Sequence, residues 1–123
     1  MALQISIRES AGVTILDLRG KSTVNGGESE SLSNQLQKLV DGGVNKLLLN
    51  VAELTQVDSS GISVIVATYV SLRRRGGELK FLRLSGRVLE VLNVFHLTNA
   101  IPSFENEAEA VDSFQPRGYS ATP

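Results

Sequence analysis

No stretch constrains this chain more than KLLLNV, from Lys46 to Val51. A strand with one wet face alternates apolar and polar residues. This one is apolar at nearly every position, so both of its faces need cover. Strands of that kind lie inside parallel sheets, whose neighbours are joined by crossovers long enough to hold a helix. Helical patterns stand on either side of it. Leu32, Leu36, Leu39 and Val40 recur at i, i+4, i+7 and i+8, which predicts a helix from Glu28 to Asp41, closed by Gly42 and Gly43. A second helix is predicted from Ser59 to Arg75, with Ile62, Ile65, Val66, Tyr69, Val70 and Leu72 as its inward stripe and Gly76 and Gly77 as its stop. Between strand and helix, AELTQVDSS reads as a loop at the C-terminal end of the strand, where open α/β sheets gather regulatory and ligand surfaces.

The remaining segments complete the alternation. Leu3, Ile5 and Ile7, then Val13, Ile15 and Asp17, alternate about the turn ESAG and predict an N-terminal hairpin, after which GKSTVNGG breaks the pattern. ELKFLRL (Glu78 to Leu84) reads as a strand with Leu79, Phe81 or Leu82, and Leu84 for burial. GRVLEVLNVFHL reads as a third helix on Val88, Leu89, Leu92 and Phe95, IPSF as a short edge strand, and NEAEAVDSF as a last helix. The expected fold is α/β: a mixed, mostly parallel sheet begun by the hairpin, with about four helices. At 123 residues it fits one domain over 1–114, followed by a polar tail, 115–123, expected to be flexible.

Several function classes drop out. A net charge of -1 lacks the basic field that draws nucleic acid, and the absence of cysteine removes thiolate chemistry and cysteine-based metal sites. With no secretory signal and no apolar run of membrane-spanning length, the expectation is a cytoplasmic protein without membrane insertion. GKST (Gly20 to Thr23) follows a strand as a phosphate loop would, but Ile15 stands where that loop needs its first glycine. VDSSG (Val57 to Gly61) lacks the first glycine of a nucleophile elbow, and a triad would depend on His96, the single histidine. One histidine and scattered carboxylates form no metal-ligand cluster, so no cofactor is expected. Arg73, Arg74 and Arg75 suit the last turn of a helix, where cations meet the dipole and the free carbonyls.

Asp58, Ser59, Ser60 and Gly61 remain. A side-chain oxygen of Asp58 or Ser59 suits an N-cap, which requires only one such residue. Gly61 has no side chain and would leave the helix start open to another molecule. A phosphate on a serine there would meet the positive end of the helix dipole and free amides, and would add about 1.5 to 2 negative charges beside Asp58. Residue types alone leave cap and switch equally open.

The stretch from Leu47 to Leu97, with VDSSG and RRRGGELKFL at its centre, resembles a STAS domain of the bacterial anti-sigma-factor antagonist type. LDLRG and FENEAEAVDSF extend the likeness to nearly the whole chain, from Leu3 to Phe114. The resemblance implies a non-enzymatic regulator that works by partner switching. The unmodified form would bind an anti-sigma factor that is itself a serine kinase. Phosphorylation of Ser59, the serine after the motif aspartate, would block binding, and a serine phosphatase would reset the switch. By the same resemblance Asp58 shapes the site, Ser60 flanks it and Gly61 leaves room for the kinase. Family members often carry an acidic stretch after the second strand; here Lys21, Ser22 and Thr23 stand in that partner-facing place and reverse its charge. That departure motivates an alternative: a STAS module that takes no phosphate and binds a small ligand or nucleotide, or serves a transporter or signalling assembly. The oligomeric state is not legible.

Overall fold

A computed structural model describes residues 3–22, 28–84 and 86–114. The chain opens with β1 (Gln4–Ser10) and β2 (Val13–Ser22), an antiparallel hairpin. Ala11 (φ 51°) and Gly12 (φ 83°) both adopt the left-handed conformation in its two-residue turn, the geometry that matches the twist of the flanking strands. Next come α1 (Glu28–Asp41), β3 (Lys46–Val57), α2 (Ser59–Arg74) and β4 (Glu78–Leu82). The chain continues through α3 (Gly86–Val94), α4 (Leu97–Ala100), β5 (Ser103–Phe104) and α5 (Glu107–Asp112). Among the described residues the sheet has five strands in the order β1-β2-β3-β4-β5, parallel from β2 onward.

Helices cover both faces, as KLLLNV requires. On one face Leu47, Leu49 and Val51 of β3 meet Leu16 and Leu18 of β2, Leu32 and Leu36 of α1, Ile62 and Ile65 of α2, and Val88 and Leu92 of α3. On the other, Val13, Ile15, Leu48 and Leu82 pack under Ala110, Val111 and Phe114. Lys80 points to this second face and is nearly buried. Its ammonium donates to Ser113 O (3.0 Å) and Ser113 Oγ (2.9 Å), pairs with Glu78 (3.2 Å) and sits 4.5 Å from the Phe114 ring centre. A buried cation needs such a complete set of partners.

Three expectations change. AELTQV is strand rather than loop: β3 runs to Val57, and β2 likewise runs on through Gly20, Lys21 and Ser22. The register between them slips between Asp17 and Arg19 and again between Gly20 and Lys21, each time placing one extra residue in β3. An extra residue flips the side-chain alternation. Val51, Leu54 and Val57 therefore all reach the first face at a spacing of three, a pattern that does not read as a strand in sequence. Second, the third helix breaks at His96, whose left-handed backbone (φ 59°) separates α3 from α4, so five helices stand among the described residues. Phe95, expected inward, is exposed. Third, Val66 and Val70 leave the inward stripe of α2. The tail 115–123 lies outside the described residues.

Candidate functional site

The site begins where β3 ends. Val57 is buried at the strand terminus, and Asp58 follows with extended backbone (φ -107°, ψ -172°) before the chain turns into α2. Asp58 is the N-cap. Its Oδ1 accepts from the amides of Ser60 (3.0 Å) and Gly61 (3.2 Å) and from the Ser60 hydroxyl (2.5 Å), while its carbonyl takes the Ile62 amide (2.9 Å). This satisfies donors that a helix start would otherwise leave open. The bulged end of β3 is also tied to its neighbour, with the Thr55 hydroxyl donating to Gly20 O (2.9 Å).

The two serines are thus sorted. Ser60 is half-buried, and its oxygen is committed to Asp58. Ser59 is exposed, and no hydrogen bond engages its hydroxyl among the described residues. The turn that presents it is held by the cap, so the Oγ projects from a fixed backbone into solvent. Gly61 is buried, on the side of α2 that also carries Ile65, Thr68 and Leu72. The amides of Ser60 and Gly61 are not free for a phosphate, because Asp58 occupies them.

At 100° per residue, Ser63, Val66, Val70 and Arg73 all fall within about 40° of Ser59 on α2, opposite Ile65, Thr68 and Leu72. The first group is exposed throughout, Val66 by 36% and Val70 by 40%, and the second is buried. An apolar strip therefore runs from the candidate hydroxyl toward the arginines. Counting apolar residues places both valines inward; only their angle relative to Ile65 and Leu72 places them outside. Arg75 caps α1 rather than its own helix, donating to Val40 O (2.7 Å) and pairing with Asp41 (3.3 Å). Arg73 and Arg74 are exposed.

The backbones of Lys21 and Ser22 pair with Gln56 and Val57, one step before Asp58, which brings the charge-reversed segment beside the site. Thr23 lies outside the described residues. His96 is exposed in the bend between α3 and α4. A cleft of about 450 Å³ between the hairpin turn and α5 is lined by Ser10, Ala11, Glu107 and Val111 and contains none of these site residues.

A second polar cluster had no sequence signal. Arg8 donates to both oxygens of Asp17 (2.7 and 3.1 Å) and both of Glu107 (2.7 and 2.8 Å), and Asn50 donates to Asp17 (2.7 Å). The Arg8 bonds hold both carboxyls below the ordinary carboxylate range and strengthen the proton affinity of the guanidinium in return.

Comparison with known proteins gives a consistent picture. The STAS domain family model matches residues 4–110. The anti-sigma F factor antagonist of Paenibacillus polymyxa is 26% identical over 120 residues, covering 94% of this chain and 97% of that protein. Among solved structures, an anti-sigma factor antagonist from Mycobacterium paratuberculosis superposes with a TM-score of 0.82 at 14% identity, over 94% of this chain and 96% of that one. The Bacillus cell fate determinant SpoIIAA in its phosphorylated form superposes at 0.72 with 20% identity, over 93% of this chain and 100% of that one.

Proposed function

The chain belongs to the STAS domain family, and from that premise we propose that it is an anti-sigma-factor antagonist that switches partners through Ser59. Unmodified, it binds an anti-sigma factor that is also a serine kinase and thereby frees a sigma factor. The kinase transfers the γ-phosphoryl group of ATP to Ser59 Oγ; the bond to the departing ADP breaks as the new P–O bond forms, and the serine proton leaves to a base on the kinase. A phosphatase restores the hydroxyl by hydrolysis. The chain itself acts as substrate and ligand, not as catalyst.

The observation that carries this reading is the contrast at the helix start: Ser59 is exposed and unengaged, beside a serine whose oxygen is held by the cap. Binding spreads from there along the exposed strip of Ser63, Val66 and Val70. A phosphate at one end of that strip would bring about 1.5 to 2 negative charges next to the Asp58 carboxylate. With the Ser60 and Gly61 amides already held by Asp58, the new charge is left exposed to the partner. Desolvating it against an interface shaped for a neutral hydroxyl costs several kcal/mol, roughly 2 to 5. No rearrangement of the fold is needed. Lys21 and Ser22 adjust which kinase is recognised, since their backbones end beside Val57 and the site.

The test is a binding titration against the anti-sigma kinase from the same genome. Ser59→Ala retains the affinity of the unmodified protein, and Ser59→Asp loses at least tenfold. Equal binding by Ser59→Asp would contradict the charge-block mechanism.

A further inference from the structure

We propose that β1 is a self-pairing edge through which two copies of this chain form an antiparallel dimer with one continuous sheet. β1 is a terminal strand, and no described residue pairs with its outer side. Exposed edges of this length are usually blunted by proline, a bulge or an outward charge. Gln4–Ser10 contains no proline or glycine and pairs with β2 in unbroken register. Its one cation, Arg8, is partly exposed but paired with Asp17 and Glu107, and its one acid is Glu9, also exposed. Ile7, in the middle of the strand, is 47% exposed.

The hairpin fixes which backbone groups face outward. A two-residue turn closes on the hydrogen-bonded pair Ser10–Val13. Bonded pairs then alternate through Arg8–Ile15, Ser6–Asp17 and Gln4–Arg19, leaving Ile5, Ile7 and Glu9 with N–H and C=O pointing away from β2. These outward positions match those of a second copy turned about a two-fold axis at Ile7. Ile7 then meets Ile7, and Ile5 meets Glu9 of the second copy, each pair exchanging both of its hydrogen bonds. Because residue 7 is the midpoint of Gln4–Ser10, this register overlaps the whole strand. Arg8 faces Ser6 and Gln4 faces Ser10, so no like charges oppose. A shift that centres the axis on Arg8 would set two guanidiniums against each other. The strand β2 stands between this edge and β3, leaving Ser59 clear of the pairing.

Sedimentation equilibrium of the full chain over a concentration series tests the proposal. Association toward twice the 13.2 kDa chain mass is expected, and Ile7→Lys returns the protein to monomer by placing two ammonium groups at the axis. A single mass of 13.2 kDa at every concentration, or a dimer untouched by Ile7→Lys, would overturn it. The register has its own readout, because the native chain has no cysteine. Two Ile7→Cys chains would place their Cα atoms about 5.5 Å apart, within disulfide reach, whereas Glu9→Cys positions would lie roughly 15 Å apart. Mild oxidation should therefore crosslink the first variant and not the second. Equal crosslinking of both, or of neither, would contradict the register.

Discussion

Ser59 and Ser60 are neighbours of one residue type, yet only one has a structural task. Asp58 gathers three donors at the helix start, two of them from Ser60, while Ser59 contributes no side-chain bond among the described residues. Asp58→Ala should therefore cost about 1 kcal/mol, the usual value for a lost N-cap, and lower the Tm by roughly 4 °C. Ser59→Ala should stay within about 0.5 kcal/mol of wild type in the same thermal unfolding experiment. A Ser59→Ala loss as large as that of Asp58→Ala would mean the hydroxyl is a structural group. Residue types alone revealed that a cap stood here, but not whether Asp58 or Ser59 supplied it. That choice depends on the backbone angles at the turn.

Elements were legible where a local rule governs them and obscure where distant partners do. The glycine pairs marked both helix ends: Gly43 and Gly76 take positive φ, and a Cβ on Gly77 would stand 2.6 Å from Asn45 O. The bulged half of β3 was hidden, because its spacing of three follows from register with β2. In α2 apolar residues reach around the helix, so their number could not separate Ile65, which is buried, from Val66, which is exposed. That strip has a direct consequence for binding. Val66→Asp should reduce partner affinity by tenfold or more, the effect of losing an apolar anchor and adding a charge, with the Tm essentially unchanged. Wild-type affinity in that variant would remove the middle of α2 from the docking surface.

For the whole molecule, the alternation of strands and helices was readable from KLLLNV and the helical spacings, whereas the ties between chain ends were not. Arg8 joins the first strand to the last helix through Glu107, a contact across 99 positions. Asp17 and Glu107 have folded-state pKa values lowered by Arg8. Their contribution is therefore complete above the unfolded carboxylate range near pH 4 and disappears as pH falls through the lower folded values. Arg8→Gln should lose about 1 kcal/mol at neutral pH, a modest figure because these groups are partly exposed, and the gap to wild type should close in acid. A difference that persisted undiminished at about pH 2 would place the effect in packing rather than in the ion pairs. The central claim concerns one oxygen of this molecule, and incubation with ATP and the anti-sigma kinase, followed by mapping of the phosphate by mass spectrometry, tests it most directly. Label on Ser59 in wild type and Ser60→Ala, and none in Ser59→Ala, is the predicted result; undiminished labelling of Ser59→Ala would contradict it.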